Sequence, residues 1–64
     1  MIVNGEEIQL EKPVLLPEFL KQRNYPDDRI AIELNGLILP KREYGNCMLG
    51  QNDKIEIVCF VGGG

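Results

Sequence analysis

The stretch from Asp53 to Val61, Asp-Lys-Ile-Glu-Ile-Val-Cys-Phe-Val, constrains the fold most. It is rich in β-branched and apolar residues, which fit a pleated, half-buried surface, so it reads as a strand. Successive side chains of a strand point to opposite faces. Ile55, Ile57, Cys59 and Val61 therefore share one side, and Glu56, Val58 and Phe60 the other. A strand that is nearly apolar on both sides belongs in the middle of a sheet. Gly62, Gly63 and Gly64 follow directly. Glycines bring no side chain to a core and lose the most conformational entropy on ordering. The expectation is a domain over 1–61 and a flexible tail over 62–64 that presents a bare carboxylate.

Two Asn-Gly pairs set the rest of the sheet. Asn4-Gly5 and Asn35-Gly36 each sit between short apolar stretches. A type I′ hairpin turn needs positive φ at both central residues, which Asn and Gly tolerate best. Met1-Ile2-Val3 thus pairs back on Glu6 to Leu10, with Met1, Val3, Ile8 and Leu10 inward and Ile2 outward. Ile30-Ala31-Ile32-Glu33-Leu34 alternates strictly, with Ile30, Ile32 and Leu34 inward, and turns into Leu37-Ile38-Leu39 before Pro40. Ile38 fits either face.

Between the hairpins the period changes. Leu16, Phe19 and Leu20, with the stem of Arg23, mark one face of a helix of roughly 8–9 residues. Pro17 suits its first turn, Glu18 suits the positive end of its dipole, and Pro26 stops it. No Ser, Thr or Asp stands ready as a cap. Lys41 to Asn52 is irregular, anchored by Tyr44 and Leu49, with turns at Gly45-Asn46 and Gly50-Gln51-Asn52. Asn52 tolerates a left-handed backbone.

Composition narrows the function. At 64 residues the chain is one domain, near the lower limit for folding without staples. A net charge of −3 argues against nucleic acid, which asks for a basic face. No apolar run is long enough to span a membrane and no leader precedes the first strand, so the cytoplasm is expected. Cys47 and Cys59 are too few for a disulfide framework, and without histidine a zinc site lacks ligands. Cys59 reads as a small buried hydrophobe. Whether either thiol is reactive stays open. Catalytic histidine is excluded, so an enzyme is not expected.

One helix covers only one face of such a sheet. The simplest closure sets the first and last strands side by side in the centre, parallel, joined through the helix. That is an α+β fold, the ubiquitin-like β-grasp. Inward positions Met1, Val3, Ile8, Leu10, Leu16, Phe19, Leu20, Ile30, Ile32, Leu34, Leu49, Ile55, Ile57 and Cys59 form its expected core. Nothing is left to cover Val58, Phe60 and Ile2 on the other face, so they are candidates for a partner surface. The competing reading folds Lys41–Asn52 over them.

Over its whole length the sequence resembles the ThiS-type sulfur carriers of thiamine biosynthesis. The matching pieces are Val3-Asn4-Gly5-Glu6, Leu16, Phe19 and Leu20, Ile30 to Gly36, Leu39-Pro40-Lys41, Tyr44, Leu49, Asp53 to Val58, and Val61 to Gly64. Leu15 replaces the family's usual Thr or Ser before the helix, and Asn52-Asp53 its usual Gly-Asp. The resemblance implies that the Gly64 carboxylate is adenylated and converted to a thiocarboxylate, with Gly62 and Gly63 threading a narrow channel. It implies no bound cofactor; ATP and magnesium would be used by a ThiF-type adenylating enzyme. Thiazole synthase and a sulfur donor such as a cysteine desulfurase would be the other partners. Alternatives of the same fold are a small subunit of molybdopterin synthase, a lysine-conjugated modifier, or an inert interaction module.

Overall fold

Both Asn-Gly pairs form two-residue hairpin turns, with φ of 50° and 83° at Asn4 and Gly5 and of 52° and 85° at Asn35 and Gly36. In this computed structural model, which describes residues 1–26 and 28–60, the first turn joins β1 (Ile2–Val3) to β2 (Glu6–Glu7). The second joins β4 (Ile30–Leu34) to β5 (Leu37–Ile38). Between the hairpins lie β3 (Val14–Leu15) and the helix α1 (Leu16–Gln22). A 3₁₀ helix (Lys41–Asn46), β6 (Met48–Leu49) and β7 (Lys54–Cys59) complete the order.

The main sheet runs β2-β1-β7-β4-β5. β7 is its middle strand, parallel to β1 and antiparallel to β4. This is the mixed sheet with parallel first and last strands that the sequence implies. The hairpin of β1 extends one pair beyond β2: the Met1 ammonium donates to the Ile8 carbonyl at 2.9 Å, and the Ile8 N–H to the Met1 carbonyl at 2.8 Å. The chain then leaves the sheet, which shortens the expected second strand and leaves Leu10 half-buried.

The helix starts without a side-chain cap. Four N–H groups at a helix start need outside partners. Here the Leu16 N–H donates to the Cys47 carbonyl at 2.8 Å, and Pro17 has no N–H to satisfy. The strand pair β3–β6, in which Val14 faces Leu49 and Leu15 faces Met48, brings that carbonyl into place. This small second sheet is absent from the sequence reading, because two-residue strands carry no period. At the other end Asn24 adopts φ of 62°, its N–H reaching Lys21 and that of Tyr25 reaching Leu20, a Schellman stop one turn earlier than Pro26 alone suggests. Arg23 lies over the Phe19 ring at 5.5 Å, so its stem does extend the apolar face.

The core contains Met1, Val3, Leu16, Phe19, Leu20, Ile30, Ile32, Leu49, Ile55 and Ile57. Ile8, Leu10 and Leu34 are partly buried against it, as are Tyr44 and Cys47. Cys59 is a correction: it is exposed. It shares the helix-side parity of Ile55 and Ile57, but seven helical residues reach only about 10 Å whereas six strand residues reach about 20 Å. The cover runs out before the strand does. Asn52 is likewise not among the left-handed residues; Asn4, Asn24, Arg29 and Asn35 are.

The two turn asparagines also clamp β7. β1 ends at Val3, and the Asn4 side chain continues its ladder: the Ile57 N–H donates to Oδ1 at 2.7 Å, and Nδ2 donates to the Ile57 carbonyl at 3.3 Å. Asn35 acts at the other end, accepting from the Lys54 N–H and donating to Asp53 Oδ1, both at 2.9 Å. Asn4→Gly keeps the turn and removes the clamp, together with the exposed 3.4 Å bond from Nδ2 to the Tyr25 hydroxyl. It is expected to cost about 1–3 kcal/mol, the penalty of an unpartnered N–H at buried Ile57. Asn24→Gly, at a left-handed position without such a bond, should shift the urea midpoint by less than about 0.5 kcal/mol of stability. Equal effects would refute the clamp.

Candidate functional site

The ladder decides which side chains share the face away from α1. Val58 lies opposite Ala31, Glu56 opposite Glu33, and Glu33 opposite Ile38. Ile2 lies opposite Lys54 on the same face. Val58 is 57% exposed, Phe60 54% and Ile2 38%. The Lys41–Asn52 segment does not cover them. Its 3₁₀ helix packs beside α1, on the other layer, with Tyr44 against the core.

The three candidates do not form one patch. Val58 and Phe60 stand two residues apart, about 7 Å along the strand. Ile2 sits in the row of Lys54, four residues or about 13 Å from Val58, with Glu56 between. The apolar surface next to the tail is therefore Val58 with Phe60, bordered by Ala31 and by charged Glu33 and Glu56. Ile38, 71% exposed, extends the apolar part of this face from the edge strand. Its outward parity follows from the two-residue turn, which pairs it with Glu33; alternation alone left it undecided.

The remaining candidates, Gly62, Gly63 and Gly64, lie outside the described residues. The strand leading to them is held from both sides up to Ile57 and from the β4 side beyond it. Past the last β7 residue, the Phe60 N–H donates to the Arg29 carbonyl at 2.6 Å. Arg29 has φ of 60°, an uncommon conformation for a residue other than Gly or Asn. Nothing in its sequence context signalled this.

The two thiols differ. Cys47 is half-buried, and its thiol is pushed above its ordinary pKa by burial first, then by the negative charges of Asp53 and Glu43. It stays protonated at neutral pH and is a poor nucleophile. Among the described residues no group of three or more His, Cys, Asp or Glu side chains is placed to hold a metal ion. No helix among them is long and apolar enough to cross a membrane.

The family model of ThiS matches residues 1–64. The chain belongs to the ThiS family. A protein of Porphyra purpurea, ycf40, is 37% identical over 62 residues, covering 97% of this chain and 87% of its own. A thiazole synthase of Paramagnetospirillum magneticum is 33% identical over 64 residues, which cover all of this chain but 20% of that protein. The crystal structure of thiamine biosynthesis protein ThiS from Geobacter metallireducens superimposes with a TM-score of 0.80 over 98% of this chain and 96% of that one. At 24% identity that match speaks for the fold. The expected ubiquitin-like β-grasp and the ThiS resemblance are both met.

Proposed function

We propose that this ThiS-family chain is a cytoplasmic sulfur carrier whose reacting group is the Gly64 carboxylate. A carboxylate is a poor acyl donor because its oxygens leave badly. Its attack on the α-phosphorus of ATP releases pyrophosphate and forms an acyl-adenylate. A persulfide sulfur attacks that carbonyl and AMP departs, leaving an acyl disulfide. A thiol then reduces the S–S bond, releasing the C-terminal thiocarboxylate and forming a disulfide with the donor. The soft, ionised sulfur is suited to attack on an electrophilic carbon, here in thiazole formation.

The observation that carries this reading is the family match across all 64 residues, glycines included. The thiazole synthase relatives support the acceptor, since the matching segment there is part of the synthase polypeptide. None of the chemistry asks for a catalytic group on this chain. Adenylation, with its ATP and magnesium, falls to a ThiF-type partner, and the sulfur comes from a donor such as a cysteine desulfurase. Mass spectrometry of the native protein tests the reading. A chain about 16 Da heavier, one oxygen replaced by sulfur at the acyl end, is expected. A lysine adduct instead would identify a protein modifier.

Val58 and Phe60 supply the docking surface for the adenylating enzyme. An exposed apolar pair at the end of the central strand, next in sequence to the glycines, fits a contact that orients the tail. Phe60→Ala is expected to weaken that binding by about 1–3 kcal/mol, the value of burying an aromatic ring. Titration calorimetry with the partner reads it. Unchanged affinity in a folded variant would remove Phe60 from the interface.

A further inference from the structure

We propose that Arg29 is a positioning residue for the tail, acting through its backbone carbonyl rather than its guanidinium. The proposal rests on the carrier reading and adds to it the device that aims the reacting end. β1 stops at Val3, and the Asn4 side chain reaches no further along β7 than Ile57. Beyond that point the strand is held on the β4 side, by the pairing of Cys59 with Ile30 and then by the 2.6 Å bond from the Phe60 N–H to the Arg29 carbonyl. Among the described residues that bond is the last one along this strand.

The backbone at Arg29 is what makes the bond available. β4 begins only at Ile30, and the chain reaches it from the loop after the helix. Arg29 adopts a φ of 60°, and in this conformation its carbonyl continues the β4 ladder by one bond. L-residues other than Gly, Asn and Asp resist this conformation, because Cβ crowds the following carbonyl. Left-handed backbone in such residues gathers where the surrounding structure needs a particular geometry. Here the geometry served is the anchoring of Phe60, the last described residue before the glycines. Misplacing a reacting group by about 1 Å can lower turnover about 100-fold.

The test separates the carbonyl from the side chain. Arg29→Val removes the guanidinium and disfavours the left-handed backbone; Arg29→Asn removes the guanidinium and tolerates it. In ATP–pyrophosphate exchange with the adenylating enzyme, Arg29→Val should lose about 100-fold in kcat, with a smaller rise in KM because Phe60 also docks, and Arg29→Asn should recover both. Amide hydrogen exchange at Phe60 should accelerate in the valine variant and not in the asparagine one. A second probe covers the case in which Arg29→Val does not fold. Cys59 allows native ligation of a synthetic segment 59–64, in which an ester replaces the Cys59–Phe60 amide and every side chain is kept. That full-length chain should show the same loss in kcat. Equal losses in the valine and asparagine variants would assign the effect to the guanidinium and overturn the proposal. Full turnover by the folded ester chain would overturn it as well. If the unaltered protein supports no exchange at all, the carrier reading itself fails, and that outcome is distinct from either.

Discussion

Deleting Gly64 is expected to abolish adenylation while leaving the melting temperature unchanged. A glycine contributes no side chain to the core, which is built from residues between Met1 and Ile57. The truncated chain should therefore keep its hairpins, its helix and its clamped central strand. Its terminal carboxylate, however, would stop short of the α-phosphorus by up to about 3.5 Å, the length of one extended residue. In-line attack asks for reacting atoms within roughly 3–3.5 Å, so a shortfall of that size removes the productive geometry. The proposed docking through Val58 and Phe60 would not compensate, because β7 is fixed in the sheet between β1 and β4. Gly63→Val should fail in the same assay for a different reason, a Cβ where backbone has to pass closely. ATP–pyrophosphate exchange, read with intact mass and a thermal melt, separates loss of chemistry from loss of fold. Full exchange by the truncated protein would show that Gly64 is not the activated residue.

What the sequence made legible follows from period and punctuation. The two Asn-Gly turns and the doubly apolar stretch before the glycines were enough to place β7 beside β1 and to predict one helix on one face. Strands of five or six residues announce themselves, β4 by strict alternation and β7 by its run of β-branched and apolar residues. β3 and β6 are not, at two residues each, and the pairing that caps α1 through Cys47 was invisible for that reason. Cys59 is exposed despite its inward parity, because alternation gives the face of a residue but not the length of the cover over it. Outward parity alone puts Ile2 with Val58 and Phe60; the parallel register that parts them is set by which residues of β1 and β7 meet. The asparagine clamps escaped notice because a turn already accounts for Asn-Gly. Arg29 offered no signal, since its conformation is imposed by the loop and the ladder around it.

Two residues on opposite faces of β7 should respond differently to truncation to alanine. Ile55 is fully buried and lies between Val3 on β1 and Leu34 on β4, at the centre of the sheet. Truncating a buried isoleucine to alanine removes its transfer energy and leaves a cavity, at a cost of about 2–5 kcal/mol. A domain of this length has a total stability of roughly 3–10 kcal/mol. Ile55→Ala is thus expected to take a large fraction of it, lowering Tm by roughly 10 °C or more. In a 64-residue domain whose two cysteines are both free, little else is available to offset the loss. Val58 sits three residues later on the same strand, on the open face and 57% exposed. Val58→Ala should change stability by less than about 0.5 kcal/mol, yet it should weaken the adenylating partner's hold. Thermal melts of both variants, together with binding of the folded one, test the assignment of the two faces. A stable Ile55→Ala or a strongly destabilised Val58→Ala would mean that the sheet buries the opposite side of β7.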